Sequence, residues 1–197
     1  MIRYRQLGPG DLSDLSHIDR SDCSSTWCEV EEGRVVLRKR EFRHVGFSRD
    51  HWERIAEEWK EMLVRGEMLL IGAYDGAEMV GVAGLDTGTR YGPDNSLYNF
   101  GPIWISREYR GRGIGRHLFE MVREMAQGMD IEGLYISATP VPRTVGFYTG
   151  MGCRLLSSPD PRLYAKEPED IHLYLDLAHG PQSMAAESGG GPIPQHG

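Results

Sequence analysis

The sequence predicts a single mixed α/β domain, and three observations support that prediction. The 197 residues are enough for one domain with a sizeable core. Strand-like and helix-like patterns follow one another along the chain in the order β-α-α-β-β-β-α-β-α-β. A glycine-rich stretch at residues 109–116 lies where a strand pattern passes into a helix pattern. We therefore expect one domain over residues 1–177.

The individual elements follow from apolar periodicity and from the turn residues that bound it. Asp11 and Ser48 are helix-capping residue types, and each stands where a helical pattern begins. The predicted strands are 2–7, 35–37, 68–74, 78–86, 97–106, 134–139, 154–156 and 171–177. The predicted helices are 11–18, 48–63, 114–128 and 140–150. We expect irregular chain at 19–34, a loop at 157–169 and, from its Gly, Pro, Ser and Ala content, a disordered C-terminal tail at 178–197.

Composition and charge exclude several classes of protein. The net charge of −7 disfavours nonspecific binding to nucleic acid or to an anionic membrane, and it suits an amine-bearing partner. No apolar run approaches the ~18 residues of a membrane span, and the N-terminus lacks the apolar part of a secretory signal. Three cysteines favour a reduced, cytoplasmic protein. Cys23 and Cys28 have no second pair or nearby histidine to complete a zinc pattern, so we expect no metal.

The glycine-rich stretch has the properties of an anion-binding turn. Gly111, Gly113 and Gly115 remove Cβ atoms where a backbone must approach a ligand closely. The first amides of the following helix lack intrahelical partners and lie at the positive end of its dipole, which suits phosphate or pyrophosphate. The spacing differs from G-x-G-x-x-G and no G-K-[ST] follows, so neither common nucleotide fingerprint fits. Fixed positive charge comes from Arg110, Arg112 and Arg116.

Arg110, Gly113 and Gly115 form the pattern R-x-x-G-x-G, which resembles the acyl-CoA pyrophosphate loop of the GNAT N-acetyltransferase superfamily. The resemblance covers about residues 1–177. It implies the GNAT fold, a mixed central sheet of about seven strands splayed by a bulge and flanked by about four helices. Gly101-Pro102 would supply the bulge, because proline cannot donate to the sheet ladder. In the family, unpaired backbone groups beyond the bulge bind the pantetheine arm much as a neighbouring strand would.

A second segment, residues 144–153, extends the resemblance with an aromatic pair and a glycine turn. In the family a tyrosine at the position of Tyr148 commonly protonates the departing CoA thiolate. A phenol near the sulfur can lower the free-energy cost of expelling the thiolate. The alternative is that Tyr148 only packs against CoA or the core. Val141 stands where many members have a CoA-contacting asparagine. The implied acetyl-CoA contacts are Ile103, Trp104, Ile105, Arg110, Gly111, Arg112, Gly113, Ile114, Gly115, Arg116, Thr144 and Phe147.

The resemblance implies that an acetyl group passes from acetyl-CoA directly to a primary amine in a ternary complex, with no nucleophilic residue. A carboxylate should take the proton of the amine, and the candidates are Asp86, Glu167, Glu169 and Asp170. The acceptor should lie beside the segment that joins the first two strands, where carboxylates and an aromatic suit a cationic amine. A small molecule is favoured over a protein, and a homodimer is left open. The residues expected to bind the acceptor are Asp19, Trp27, Glu29 and Asp86.

Other classes of function remain open on the sequence alone. The same fold could serve as a non-catalytic acyl-CoA-binding or sensor module. The glycine turn could also bind ATP or NAD, although the missing fingerprints argue against this. The sequence does not identify the amine, so small-molecule detoxification, antibiotic modification and acetylation of protein N-termini or lysines are all compatible with it.

Overall fold

In the computed structural model the described residues are 1–92 and 94–178, and the predicted tail at 178–197 lies outside them from residue 179 onward. The strands are β1 (Ile2–Gln6), β2 (Asp22–Glu31), β3 (Arg34–His44), β4 (Met68–Asp75), β5 (Glu78–Tyr91), β6 (Leu97–Ile105), β7 (Gly133–Ala138), β8 (Arg154–Leu155) and β9 (Ile171–Asp176). The α-helices are α1 (Arg49–Arg65), α2 (Ile114–Gly128), α3 (Pro142–Gly150) and α4 (Pro161–Lys166), with 3₁₀ segments at Pro9–His17 and Arg107–Tyr109.

Seven of these strands form one mixed sheet in the order β1-β4-β5-β6-β7-β9-β8, and β2 pairs with β3 as a separate hairpin. Neighbours in the large sheet are antiparallel except β6 and β7, which are parallel. A parallel pair needs a crossover connection, and α2 supplies it between those two strands. The predicted fold class, a mixed sheet of seven strands flanked by helices, is confirmed.

Two apolar clusters hold helices against opposite faces of the sheet. On one face, α2 completely buries Leu118 and Phe119, which pack in one cluster with Tyr148 of α3. On the other face, α1 buries Trp52 and Trp59 beside the first 3₁₀ segment. Burial of apolar surface stabilises by about 25 cal/mol per Å², so these two layers supply the main term that favours folding.

The predicted N-cap of α1 and the predicted turn between β4 and β5 are confirmed. The hydroxyl of Ser48 accepts a hydrogen bond from the amide of His51 at 3.3 Å, which satisfies one free donor of the first turn. Gly66 ends the helix in the left-handed region, with φ of 71°. Gly76 takes the positive φ, 62°, that the tight turn between the strands needs.

The structure differs from the sequence prediction at residues 19–44, where β2 and β3 form a long antiparallel hairpin. Its turn is Glu32-Gly33, and both residues have positive φ, 49° and 72°. Such a two-residue turn matches the twist of its flanking strands and places Glu31 opposite Arg34. These strands are largely polar, so they lack the apolar alternation on which the prediction depended. The predicted loop at 157–169 likewise contains α4.

The described residues contain neither a helix that could span a membrane nor a cluster that could hold a metal ion. No helix in this part of the chain is long and apolar enough to cross a membrane. No group of three or more His, Cys, Asp or Glu side chains here could hold a metal ion.

Candidate active site

β6 and β7 pair at only two positions, the last of them Asn99 opposite Tyr135, and then separate. Just beyond this point Gly101-Pro102 interrupts β6, because proline has no amide to donate. On its other side β6 stays paired with β5 as far as Ile105 opposite Gly81, after a shift in register. The two parallel strands therefore open into a V-shaped gap, and the predicted splay of the sheet is confirmed.

The part of β6 beyond the bulge presents polar backbone groups to this gap. The amide of Ser106 donates to the carbonyl oxygen of Val80 on β5 at 2.8 Å, so Ser106 faces β5. The N–H and C=O groups of successive residues in a strand point to opposite sides. The backbone groups of Trp104 therefore also face β5, whereas those of Ile103 and Ile105 face the gap. Among the described residues, no strand pairs with Ile103 or Ile105 on that side. An extended ligand can complete this strand edge.

The loop after β6 exposes a row of backbone amides. Gly111 and Gly113 have φ of 76° and 82°, where glycine is favoured, and a Cβ on either would meet no atom within 4 Å. Gly113 is the N-cap of α2, so the helix dipole points its positive end at this loop. No amide from Gly111 to Arg116 donates a hydrogen bond to a residue that the structure describes. Unpartnered amides at a helix N-terminus suit a phosphate group.

The three arginines of this loop have different surroundings. The guanidinium of Arg110 donates to the carbonyl oxygens of Ile105 and Ser21, each at 3.0 Å. Arg110 thereby fastens the loop to the end of β6 and to the chain that leads into β2. Arg112 and Arg116 are exposed. They are the arginines of the loop whose charge is free to face a bound anion.

Tyr148 lies beneath the closed end of the gap. Its side chain is 4% exposed, and its ring lies 6.2 Å from that of Phe100, the last β6 residue before the bulge. The rings of Phe119 and Phe147 lie 6.3 and 5.2 Å away and complete an aromatic setting. Burial, reinforced by Cys153, raises the pKa of Tyr148, so the phenol stays protonated at neutral pH. This side chain can therefore act as a proton donor.

The N-terminal half of α3 borders the gap. A Cβ on Gly115 would lie 3.7 Å from both Ile105 and the ring of Phe147, which places that ring between the loop and the gap. Thr144 is half-buried in the first turn of α3, and its amide donates to the carbonyl oxygen of Val141 at 2.9 Å. Val141 is buried at the N-cap and offers no side-chain acceptor. Both predicted contacts on this helix, Thr144 and Phe147, thus lie in its first two turns.

An acidic segment precedes β9, next to the end of β7. Asp170 immediately precedes β9, beside Ala138, the last residue of β7. Burial raises the pKa of Asp170 to about 7, and the carboxylates of Glu167 and Glu169 add to the effect. The charge of Asp170 also contributes, as the smallest of three causes, to the raised pKa of Tyr148. A carboxyl that titrates near neutral pH here can accept a proton from an amine.

The β2–β3 hairpin forms a wall beside the gap. The amide of Cys28 in β2 donates to the carbonyl oxygen of Pro140, just past β7, at 2.7 Å. Arg40 of β3 pairs with Glu169 at 2.7 Å, and its guanidinium lies 4.3 Å from the ring centroid of Trp27. Trp27, one of the predicted acceptor residues, is 5% exposed. These contacts tie the hairpin to the end of β7 and to the acidic segment.

Asp86, predicted as an acceptor residue and a candidate base, is engaged by its own strand. Its side chain is buried. The carboxylate accepts hydrogen bonds from the amides of Gly88 and Thr89, at 2.9 and 3.3 Å, and from the hydroxyl of Tyr91 at 3.3 Å. These bonds hold an irregularity in the register of β5 between Asp86 and Arg90. In the structure, the carboxylate of Asp86 therefore stabilises the irregular part of β5.

The other two predicted acceptor residues lie at the surface. Glu29 is exposed, and its carboxylate lies 3.8 Å from the guanidinium of Arg38. Asp19 accepts a hydrogen bond from the amide of Ser21 at 2.8 Å, and its bonds with Ser21 lower its pKa. The carbonyl oxygen of Asp19 accepts from the amide of Arg107 at 2.9 Å, so this residue is placed near the glycine loop.

Arg20 is a charged residue of this region that sequence reasoning missed. Its guanidinium carbon lies 4.0 Å from the ring centroid of Phe47 and 4.1 Å from that of Trp104. Arg20 falls in the segment that was expected to be irregular, and no sequence spacing connects it to these aromatic residues. The tertiary fold alone brings it to β6.

Solved structures share this fold at low sequence identity. Nourseothricin acetyltransferase is 21% identical with a TM-score of 0.64, over 88% of this chain and 95% of that one. A protein of Bacillus anthracis strain Ames, assigned as a streptothricin acetyltransferase and solved with acetyl-CoA, is 15% identical with a TM-score of 0.64, over 89% and 97%. The ribosomal-protein-S18-alanine N-acetyltransferase of Escherichia coli is 16% identical with a TM-score of 0.57, over 95% and 98%. At these identities the likeness shows the fold alone.

The amino-acid sequence also matches a family model. No match to the chain was found among curated proteins. The model of the acetyltransferase (GNAT) domain matches residues 39–161, more than half of the chain. This range contains β6 with its bulge, the glycine loop and α3. The chain therefore belongs to the GNAT acetyltransferase family and is an acyltransferase.

Proposed function

We propose that this protein transfers the acetyl group of acetyl-CoA to the primary amine of a small molecule. The observation that carries the proposal is the V-shaped gap between β6 and β7, with the free amides of residues 111–116 beside it. A ligand with a pyrophosphate at one end and a long extended arm at the other matches this arrangement. CoA has both parts.

The cofactor would lie along β6 with its pyrophosphate on the loop. The amides from Gly111 to Arg116 would bind the pyrophosphate oxygens, and Arg112 and Arg116 would offset their charge. The pantetheine arm would pair with the backbone of Ile103 and with the amide of Ile105, whose carbonyl oxygen already accepts from Arg110, as an added strand does. This orientation directs the thioester toward the closed end of the gap, beneath which Tyr148 lies.

The residues near the thioester suit a direct attack by the amine. The amine attacks in its neutral form, after a protonated amine has released a proton to solvent. An N–C bond forms and the C–S bond breaks, so in this step one proton must leave the nitrogen and the CoA thiolate must gain one. Asp170 accepts the first, and Tyr148 donates the second. The pKa of Asp170, about 7, fits its role, because a base works best with a pKa near the operating pH, and the phenol of Tyr148 begins protonated. Cys153 has no part, since burial raises the pKa of its thiol to about 12.

The acceptor would enter between the hairpin and the acidic segment. Glu167, Glu169 and Asp170 bring negative charge to that side, which attracts a protonated amine. The ion pair of Arg40 with Glu169 joins the two walls, and this favours a small acceptor over a folded protein surface. Two structural neighbours are named for small-molecule acceptors of this class: one is a nourseothricin acetyltransferase and the other a streptothricin acetyltransferase.

A panel of small primary amines, incubated with acetyl-CoA and followed by release of the free CoA thiol, tests the proposal. We expect turnover with at least one amine, and slower turnover after Tyr148→Phe although acetyl-CoA still binds. Tyr164→Phe is the matched control, because that tyrosine is 50% exposed on α4. A non-catalytic acyl-CoA sensor, the other candidate, would bind acetyl-CoA and release no thiol with any amine.

A further inference from the structure

Arg20 lies at the candidate site, but the proposed transfer of an acetyl group to an amine does not require this side chain. Its guanidinium lies against two aromatic rings, with centroid distances of 4.0 Å to Phe47 and 4.1 Å to Trp104, and these two rings are nearly perpendicular to each other. Trp104 lies between Ile103 and Ile105 in β6, and its side chain packs on the α1 face of the sheet. Arg20 is therefore on the far side of the splayed strand from α2 and α3.

The charge of Arg20 has no direct partner within the described part of the chain. No carboxylate pairs with it, and its guanidinium makes no hydrogen bond there. Glu167 acts on it only at longer range, whereas Arg110 adds repulsion. Burial is the largest influence and lowers the pKa of Arg20 to about 10, so the group is still a cation at neutral pH. A partly desolvated cation without a partner is costly unless a ligand supplies the anion.

Part of the guanidinium of Arg20 is open to a ligand. Its five N–H donors lie in one plane, and the rings of Phe47 and Trp104, which are nearly perpendicular with centroids 5.7 Å apart, do not enclose it from opposite sides. None of its nitrogen atoms is among the sealed and unsatisfied polar atoms of the described residues, so the rim of the group reaches solvent. A rigid, planar fork with an open rim is the arrangement that binds a carboxylate through two parallel hydrogen bonds.

We propose that Arg20 binds a carboxylate of the acceptor, which would make the acceptor a zwitterion such as an amino acid. This inference rests on the proposed function, and it adds a second functional group of the acceptor, the carboxylate, to the amine. The amine would face Asp170 and the acidic segment, and the carboxylate would face Arg20. The charge of Glu167 acts on both groups, since it raises the pKa of Arg20 and the pKa of Asp170.

Amino acids and the amines that remain when their carboxyl group is removed form matched probes. The pairs lysine and cadaverine, alanine and ethylamine, and phenylalanine and phenethylamine differ only in the carboxylate. We expect wild-type kcat/KM to favour the amino acid by about tenfold or more in at least one pair, as a charge-assisted hydrogen bond allows. Arg20→Met should abolish that preference, lowering kcat/KM for the amino acid and leaving the amine within about twofold.

Arg5→Met is the matched control for loss of a stacked arginine. Arg5 lies 4.6 Å from the ring of Tyr74 but already pairs with Asp11 at 2.7 Å, and it is on the edge strand β1. This variant should keep the preference for the amino acid. Arg20→Lys keeps the charge without the planar fork and should recover only part of it.

Binding without turnover separates this proposal from the proposed function. Trp104 touches Arg20, so titration with the same amino acids should change tryptophan fluorescence in the wild type and not in Arg20→Met. That result without any acetylation would support the carboxylate site and refute the proposed function. Acetylation of amines and amino acids with equal kcat/KM would refute the carboxylate site alone. A weaker affinity of Arg20→Met for acetyl-CoA, with the preference intact, would show that the anion belongs to the cofactor and overturn the proposal.

Discussion

Replacing Asp170 with asparagine should make the protein a poorer enzyme and a more stable fold at the same time. The carboxyl has a pKa of about 7 in the folded chain against an ordinary value of 3.8. The folded state therefore binds this proton more tightly than the unfolded state, and stability falls as the pH rises from about 4 to about 7. Above that range the loss is complete, and it amounts to at most about 4 kcal/mol.

Asparagine has no such proton to lose, so the variant escapes this loss. At pH 8 we expect its free energy of unfolding to exceed that of the wild type by about 1–4 kcal/mol, and at pH 4 the two should agree within about 0.5 kcal/mol. Denaturant unfolding at a series of pH values measures the difference. With a fixed amine, kcat/KM at pH 8 should fall by about 10²-fold, and the wild-type inflection near pH 7 should disappear.

Asp160 is the matched control, because its pKa moves in the opposite direction. Hydrogen bonds from Arg162 lower the pKa of Asp160 to about 2, so its charge stabilises the fold above pH 4 and that stability is lost as the pH falls toward 2. Asp160→Asn should therefore destabilise the protein at pH 8 and leave the kinetic inflection in place. If Asp170→Asn were less stable than the wild type at pH 8, or kept the inflection near pH 7, Asp170 would not be the base.

Four further substitutions, one of them with a matched control, separate catalysis, cofactor binding and loop support. Tyr148→Phe should lower kcat by about 10²-fold with the Kd for acetyl-CoA unchanged in calorimetry, and an unchanged kcat would leave the tyrosine a packing role. Gly113→Ala forces a Cβ into φ of 82°, at a cost of about 1 kcal/mol, and should weaken acetyl-CoA binding, whereas Gly128→Ala at the other end of α2 should not. Arg110→Met should lower the free energy of unfolding by about 1–3 kcal/mol, because two carbonyl oxygens lose their donor, and should also weaken acetyl-CoA binding. Arg112→Met should weaken binding without changing stability, and the reverse pattern for these two arginines would contradict the roles assigned to them.

The gap and the loop could be predicted from the sequence because their signals are local. Gly101-Pro102 marks an interruption whatever surrounds it, since a proline lacks the amide that a central strand needs. Gly111 and Gly113 mark backbone that only glycine adopts easily, and the structure gives both a positive φ. The order of strands and helices around them follows from apolar periodicity.

The hairpin and Arg20 could not be predicted in this way, because tertiary contacts determine both. Polar strands such as β2 and β3 show no apolar alternation, and their turn at Glu32-Gly33 was the one local signal. Arg20 is positioned by Phe47 and Trp104, which are distant from it in the chain.

The choice among carboxylates also needed the structure. Asp86, Glu167, Glu169 and Asp170 are equivalent candidates by residue type, and their surroundings in the fold distinguish them. Asp86 is engaged by the amides of its own strand, and Glu169 pairs with Arg40 at the surface. Asp170 combines a raised pKa with a place beside β7. Desolvation depends on everything packed around a group, and a sequence pattern does not contain it.

Direct transfer of the acetyl group is tested most directly by following that group itself. Protein in excess over acetyl-CoA labelled in the acetyl group is examined by intact mass spectrometry before and after an accepted amine is added. We predict that the protein mass stays unchanged without the amine, and that its addition produces N-acetylated amine and free CoA in equal amounts. Label on the protein itself, or bound acetyl-CoA that yields no free CoA with any amine, would contradict acetyl transfer in a ternary complex.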